Sequence, residues 1–187
     1  DSKLRLGVGN VLKNRDYEIF QYVFNVRGQN NLNINGDPNK LLLPENIWKK
    51  ETNQGFYAVG NFEPANTYSA EQNIASAYVM NEISLSAKLK AVYGLRVEKF
   101  VHYYTGQTNL GDIIFNNEKI NEALDFLPSI NLVYALKEKT NLRFAAAKTL
   151  ARPSFKEASI SQIYDALSDR TYIGNTDLKE TKIMNYD

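Results

Sequence analysis

The sequence predicts an all-β protein whose strands form an antiparallel meander, and three observations support this. Apolar and polar residues alternate along several segments, most clearly over 89–104, and such alternation indicates strands with one apolar face. Short polar turns at 86–88 and 137–140 separate neighbouring strands, whereas other strands are joined by long loops rich in Asn, Gly and Pro. Short turns at one end and long loops at the other are typical of a transmembrane outer-membrane β-barrel, with short periplasmic turns and long extracellular loops.

The last third of the chain shows this arrangement best. Phe126–Leu136 alternates as one strand, and 141–149 alternates again after the turn. A long polar loop then extends to about residue 181, and a new strand begins at Lys182. One hairpin followed by one long loop is the repeating unit of the predicted barrel wall.

The first two thirds are predicted to repeat this unit. A strand around Leu4–Val8 is followed by a predicted turn at Lys13–Asp16 and a second strand over Tyr17–Val26. Residues 28–66 are predicted to be a loop that precedes a third strand from Ser69 to about Leu85. After the fourth strand, 89–104, residues 105–123 are predicted to form another loop that contains a small hairpin. The count is about six strands and the start of a seventh in a single segment, 1–187.

Alternation also predicts which side chains share a face of the wall. One set is expected to face lipid because its members are apolar: Leu89, Ala91, Tyr93, Leu95, Val97, Ile130, Leu132, Leu142 and Phe144. The other set is expected to face the barrel interior, because a charge on the lipid face costs about 2–4 kcal/mol at mid-membrane; it consists of Lys90, Arg96, Glu98, Asn131 and Arg143. Turns near Asn14, Ser86 and Glu138 are expected to be periplasmic, and segments 28–66, 105–123 and 151–181 extracellular.

Composition excludes several classes of function. The net charge of +1 offers no basic field for nucleic acid, and the lack of cysteine removes thiol chemistry and cysteine metal sites. A single histidine, His102, is too few for a histidine metal site, so no cofactor or metal is expected. The sequence contains no run of eighteen apolar residues, so no transmembrane helix is predicted. The twelve tyrosines fit either the aromatic girdles of a barrel or the general preference of tyrosine for strands.

Two motifs in the last third carry a resemblance to a known family. The first is FLPSINLVYALKEKTNLRFAAAKTLARPSFKE, and the second is IGNTDLKETKIMNYD. Together they resemble the late barrel strands of TonB-dependent outer-membrane receptors, with an "LP-S-N--Y" strand, an "NLR--------RP-F-E" strand, a large loop and a "GN--L" segment. The close match covers about a third of the chain, and 70–100 matches more loosely. The chain has no leader and lacks the family's plug domain and TonB box, so we expect an internal fragment of the barrel.

The resemblance implies a location and a function. The chain would be part of a plugged barrel of about 22 strands in the outer membrane of a Gram-negative bacterium. Such a receptor imports a scarce large solute, namely a ferric siderophore, a cobalamin or a glycan, and is not an enzyme. The implied partners are outer-membrane lipid, the receptor's own plug domain and through it TonB, and the extracellular solute.

The candidate solute-binding residues are aromatic and basic side chains of the two longest loops. Aromatic loop residues supply contact area at a low entropy cost, and arginines add hydrogen bonds. The candidates are Trp48, Tyr57, Phe62, Arg152, Tyr164, Arg170 and Tyr172. The alternative is that these side chains only pack the loops against one another. No catalytic residue is expected, because the carboxylate pairs Asp165 and Asp169, or Glu118 and Glu122, lie in presumed loops where nothing fixes their separation.

Two other functions remain open from the residues alone. A soluble β-sheet module that binds carbohydrate would have the same alternation, but it would be soluble and monomeric without detergent. A barrel fragment exposes open edges and an apolar face and is expected to aggregate. The second is an outer-membrane barrel that does not transport a solute. Such a protein would differ from a transporting receptor only in the sequence upstream of this segment.

Overall fold

The computed structural model describes residues 2–28, 36–165 and 167–187, and its main feature is one antiparallel, six-stranded sheet. The strands of the described residues are β1 Ser2–Glu18, β2 Gln21–Arg27, β3 Gly55–Asn61, β4 Thr67–Ser84, β5 Leu89–Gln107, β6 Ile114–Lys137, β7 Thr140–Ala151, β8 Gln162–Asp165, β9 Arg170–Ile173 and β10 Thr181–Tyr186. The large sheet has the order β1-β4-β5-β6-β7-β10, so each strand pairs with the next strand of the wall. The sheet is not closed, and β1 and β10 form its edges.

Two small hairpins lie outside this sheet. Strands β2 and β3 pair with each other within the first long loop, and β8 and β9 pair within the last one. Two short 3-10 helices, Pro38–Leu42 and Pro64–Asn66, flank β3. No helix among the described residues is long and apolar enough to cross a membrane.

The predicted all-β, antiparallel meander is confirmed, and so are most of its strand positions. The turns at 85–88 and 138–139 join β4 to β5 and β6 to β7, and both lie at the same end of the sheet. The connections 19–66, 108–113 and 152–180 lie at the opposite end. Short and long connections therefore alternate between the two ends, as the sequence predicts.

The predicted turn at Lys13–Asp16 is wrong. Strand β1 continues through it, and Asn14 pairs with Glu71 while Asp16 pairs with Ser69. Hydrogen bonds to β4 hold this polar stretch as strand, although its residues are common in turns. The periplasmic turn expected near Asn14 does not exist, because this residue lies in the half of β1 nearer the long connections.

The predicted second wall strand, Tyr17–Val26, is also wrong. The chain leaves the wall after Glu18, and residues 21–27 pair with β3 as a separate hairpin. The first long connection is therefore 19–66 rather than 28–66. Its residues 29–35, which belong to the predicted loop, lie outside the described residues.

The predicted loop over 105–123 is mostly strand. Strand β5 extends to Gln107 and β6 starts at Ile114, which leaves only 108–113 as the connection. Register shifts after His102 and Tyr104 mark bulges in this extension. The small hairpin expected within this loop does not form as a separate element, because Ile114–Lys137 is one continuous strand that pairs with β5.

The two faces of the sheet differ as the alternation predicts. Strand register places all the apolar residues predicted to share a face on one surface, here called the apolar face. It places Lys90, Arg96, Glu98, Asn131 and Arg143 together on the opposite surface, here called the polar face. The two sets therefore segregate as predicted.

The apolar face contains an uncharged belt of membrane dimensions. On β5 it extends from Leu89 to Val97, opposite Tyr134 and Phe126 of β6. The eight steps between consecutive residues from Leu89 to Val97 span about 26 Å, or about 20 Å after a tilt of about 40°, which is close to the ~25 Å apolar band of outer-membrane barrels. Charge returns on the same face just beyond the belt, where Glu122 contacts the ammonium groups of two lysines, Lys99 and Lys119.

Candidate functional site in the loops above the polar face

The last long connection, 152–180, folds back onto the polar face. Phe155 and Ile160 pack against a buried cluster formed by Tyr68, Ala70 and Tyr104. The backbone N–H of Ile160 donates to the hydroxyl oxygen of Tyr104 at 3.3 Å. The start of this connection is therefore a packed element rather than an open loop.

An aromatic row on the polar face supports this packing. Tyr17 stacks on Tyr68, which stacks on Tyr104, with ring centroids 5.0 and 5.4 Å apart. The edge of Phe115 meets the Tyr104 ring at 5.5 Å. Offset and edge-to-face contacts of this kind stabilise beyond the area they bury. The row spans four strands and forms the base on which the connection rests.

The segment RPSFKE, residues 152–157, ties the start of this connection to the wall. Arg152 donates from Nη2 to Glu98 Oε2 at 2.7 Å, and its guanidinium lies 5.0 Å from the centre of the Phe100 ring. Gln72 donates from Nε2 to the Pro153 carbonyl at 3.5 Å. The rings of Phe155 and His102 pack edge to face, with their centroids 5.6 Å apart. The residues of the "RP-F-E" part of the family motif therefore contact the wall.

A capping box closes the turn that follows. The backbone N–H and the hydroxyl of Ser154 both donate to Glu157 Oε2 at 2.8 Å, and the Glu157 N–H donates to Ser154 Oγ at 3.3 Å. These hydrogen bonds lower the pKa of Glu157 below its ordinary value of 4.5. The Ala158 N–H donates to the Ser154 carbonyl at 3.0 Å and completes the turn.

The GN--L segment anchors the other end of the connection. A side chain at Gly174 would clash with the carbonyl oxygens of Lys156, Glu157 and Ser159, so only glycine fits there. The next residue, Asn175, donates its N–H to the Glu157 carbonyl at 2.7 Å. The two ends of the connection therefore contact each other directly.

Buried ion pairs join both ends to the same place on the wall. Glu98 and Asp125 lie opposite each other on β5 and β6, and both are at least 90 % buried. Glu98 binds Arg152 and, at 2.5 Å, Arg96. Asp125 lies 3.6 Å from the ammonium group of Lys182, just after the connection. One pair of wall carboxylates thus holds cations from the beginning and the end of 152–180.

The middle of the connection is the β8–β9 hairpin, which carries three of the predicted binding residues, Tyr164, Arg170 and Tyr172. All three side chains are exposed. Tyr164 donates its hydroxyl to Asp169 Oδ1 at 2.9 Å, which raises the pKa of Tyr164. The ammonium group of Lys156 lies 4.9 Å from the centre of the Tyr172 ring. Arg152, the fourth predicted residue of this segment, is not on the hairpin but in the ion pair below it.

The remaining predicted residues lie in the first long connection. The backbone of Trp48 donates to the Phe56 carbonyl at 2.8 Å, and Tyr57 lies on β3. Phe62 is exposed and lines a cleft of about 820 Å³ together with residues of the aromatic row. Trp48 and Tyr57 do not line this cleft.

A second cleft, of about 590 Å³, lies between the two long connections, and it contains Tyr164. Its lining combines residues around β2 and the second 3-10 helix with residues of the β8–β9 hairpin: Ile19, Phe20, Gln21, Glu63, Asn66, Gln162, Tyr164 and Thr171. Of the predicted binding residues, only Tyr164 lies here. Phe20 is not recognisable from the sequence as a lining residue, because the pattern around it predicts a wall strand. The amide residues are not recognisable because amides carry no distinctive motif.

Within the described residues, no group of three or more His, Asp or Glu side chains could hold a metal ion. In each of the two carboxylate pairs weighed as acid and base, at least one member has a structural partner. Asp165 accepts from the Ser168 hydroxyl at 2.7 Å and from the Leu167 N–H at 3.0 Å, and these bonds lower its pKa. Glu122 is bound by its two lysines.

Comparison with known proteins agrees with this architecture. Residues 4–187 match the family model described as "TonB dependent receptor-like, beta-barrel". No curated protein matches the chain, and no solved structure does. The family match covers nearly all of the six-stranded sheet and both long connections. The chain therefore belongs to the TonB-dependent receptor-like β-barrel family, whose members are receptors and transporters of the Gram-negative outer membrane.

Proposed function

We propose that this chain supplies part of the wall and two solute-contacting loops of a receptor that imports a scarce large solute. The solute is a ferric siderophore, a cobalamin or a glycan, and TonB supplies energy through the receptor's own plug domain. The observation that carries the proposal is the anchored connection 152–180, which presents the β8–β9 hairpin across a cleft from the first long connection. Specificity in such a fold resides in loops that a rigid wall positions.

The physical reason for an anchored base is preorganisation. Binding a solute with a disordered loop costs the entropy of ordering that loop, and a loop already fixed at both ends avoids much of this cost. Here the capping box, the close packing at Gly174 and the ion pairs to Glu98 and Asp125 fix the base. The hairpin between them is then free to carry the solute contacts.

The apolar face supports a membrane location over a soluble module. Leu6 and Val8 on the edge strand are 69 % and 89 % exposed, and the uncharged belt continues across β5 and β6. A contiguous apolar surface of this extent is unfavourable in water and is matched by the lipid core. A soluble carbohydrate-binding sheet would need a second layer to cover it.

The test removes the hairpin, residues 162–173, from the full receptor and joins the ends with a short Gly-Ser link. Receptor-deleted cells carry either the intact or the shortened gene and grow with ferric siderophores, cobalamin or oligosaccharides as the limiting nutrient. We expect the shortened receptor and a TonB-deleted strain to fail on the same nutrient. Heat-modifiable gel migration confirms that the shortened barrel folds, and a receptor carrying Glu122→Gln, on the opposite face of the sheet, is the control.

Two outcomes contradict the proposal. Unchanged growth with a folded, shortened receptor removes the hairpin from solute binding. Growth that requires the receptor but not TonB removes energy coupling.

A further inference from the structure

We propose that the cleft between the two long connections binds a neutral, hydroxyl-rich solute, which in chemical class is an uncharged carbohydrate chain. This inference rests on the proposed function, because it chooses among the three solute classes named there. It concerns the 590 Å³ cleft lined by residues of the first connection and of the β8–β9 hairpin.

The polar lining of the cleft is made of amides and hydroxyls. Gln21, Asn66 and Gln162 contribute carboxamides, and Thr171 contributes a hydroxyl. A carboxamide both donates and accepts hydrogen bonds, and so does each hydroxyl of a sugar, so the two are complementary. Uncharged groups of this kind orient a ligand without requiring that it carry charge.

The charge of the lining argues against an anionic solute. None of the lining residues is Lys or Arg, and the one charged residue among them is Glu63. Carboxylates, phosphates and anionic chelates are recognised chiefly by Arg and Lys. The lining therefore offers no cation to complement a negatively charged ligand, so a neutral ligand fits better.

A buried acceptor in the wall of the cleft lacks a donor. Asn66 is 7 % exposed, and its Nδ2 donates to Glu63 at 3.2 Å. Its Oδ1 has no hydrogen-bond partner in the part of the chain that the structure describes. Because this oxygen is itself buried, a ligand hydroxyl reaches it only if the Asn66 side chain turns toward the cleft, and such a turn would supply the partner that buried polar atoms almost always have.

Two exposed aromatic rings flank the amides. Phe20 and Tyr164 are 56 % and 53 % exposed, and they come from the first connection and from the hairpin respectively. The hydrogen bond from Tyr164 to Asp169 fixes the orientation of its ring. The apolar C–H face of a sugar ring packs on an aromatic face, whereas its hydroxyls reach the polar groups at the edge.

The floor of the cleft is held in place by contacts that do not involve a ligand. The Ile19 N–H donates to the Asn66 carbonyl at 3.1 Å, and Asn109 donates to Glu63 at 3.4 Å. The second 3-10 helix is thereby tied to the strand end on one side and to the 108–113 connection on the other. The amides are therefore positioned before a ligand arrives.

The test uses the purified full receptor in detergent. The receptor is applied to an array that carries neutral gluco-, galacto-, manno-, xylo- and arabino-oligosaccharides together with uronic-acid oligosaccharides, and binding to each sugar is measured. Ferric hydroxamate, ferric catecholate and cobalamin are measured separately by calorimetry. The variants are Tyr164→Ala and Gln162→Ala, and the matched control is Tyr22→Ala, which removes an exposed tyrosine of the first connection outside this cleft.

We expect at least one neutral oligosaccharide to bind, with its affinity reduced about tenfold or more by Tyr164→Ala and by Gln162→Ala, the size of one lost contact. Tyr22→Ala should bind like the unaltered receptor. Binding of only acidic sugars, ferric complexes or cobalamin overturns the inference, as does no binding of any neutral sugar, or equal binding by all variants.

Failure of this inference is distinguishable from failure of the proposed function. A receptor that supports TonB-dependent growth on a ferric siderophore but binds no neutral sugar keeps the function and loses the inference. A receptor that binds a neutral sugar through Tyr164 but needs no TonB for growth does the reverse.

Discussion

The substitution Glu98→Gln tests whether buried ion pairs anchor the 152–180 connection. It keeps the shape and one acceptor but removes the charge that binds Arg152 and Arg96. The Glu98 and Arg152 side chains are 9 % and 17 % exposed, so breaking their pair belongs to the buried class, which costs about 3–5 kcal/mol. Arg96 is half exposed and can turn to water, so its loss adds little.

One effect opposes this loss. Asp125 lies directly opposite Glu98, and removing one of two facing carboxylates relieves repulsion of up to about 1 kcal/mol. The net cost is therefore about 2–4 kcal/mol, which predicts that local opening of the connection becomes at least about 30-fold more frequent. Hydrogen–deuterium exchange of residues 152–161 in the full receptor measures this, because the Ala158 amide is protected by its bond to Ser154.

A matched control is available on the other face of the sheet. Glu122 also binds two cations, Lys99 and Lys119, but this carboxylate is exposed and lies on the opposite face of the sheet from Glu98. Glu122→Gln should therefore leave exchange of residues 152–161 unchanged. Equal exchange in Glu98→Gln and Glu122→Gln would refute the argument that burial gives the Glu98 contacts their weight.

Three further predictions concern orientation, faces and pH. A membrane-impermeant maleimide on intact cells should label Leu110→Cys but not Glu138→Cys, and labelling of the latter would reverse the orientation of the wall. Spin labels should show lipid-soluble oxygen reaching Leu95 more than Arg96, and equal access would contradict the assignment of the two faces. The pKa of Glu157 is depressed, so its contribution to the stability of the capping box is present at pH 6 and is lost as pH falls below 4.5 through that depressed pKa. At pH 6, the backbone amides of the turn should therefore exchange hydrogen for deuterium faster in the Glu157→Gln receptor than in the unaltered receptor. This difference in exchange rate should vanish on acidification. A difference that persists at low pH would rule out the carboxylate as its cause.

The wall could be predicted from the sequence wherever one face meets an apolar environment. Over Leu89–Val97 every second residue is apolar, and this local pattern is enough to identify both the strand and its faces. Outside the belt the pattern fails, because polar residues are tolerated on both faces of a strand there. The stretches 13–16 and 114–123 therefore look like loops in the sequence, although pairing with β4 and β5 makes them strand.

The loops were predictable in position but not in structure. Arg152 appears in the sequence as an exposed cation beside aromatic residues, and its partner Glu98 lies 54 residues away. No local pattern reveals such a pairing. The same holds for the cleft, in which Phe20 and Gln162 meet only because two separate connections fold towards each other.

The contacts that fix both ends of the last connection have a consequence for how such a receptor diversifies. Both ends of 152–180 are joined to each other and to one spot on the wall, so the hairpin between them is mechanically separate from the barrel. Substitutions or insertions in the β8–β9 hairpin, or its exchange for another segment, would then leave the contacts at the ends of the connection intact. Natural selection can thus try new recognition surfaces on an unchanged scaffold, and a laboratory can graft them at the same two junctions.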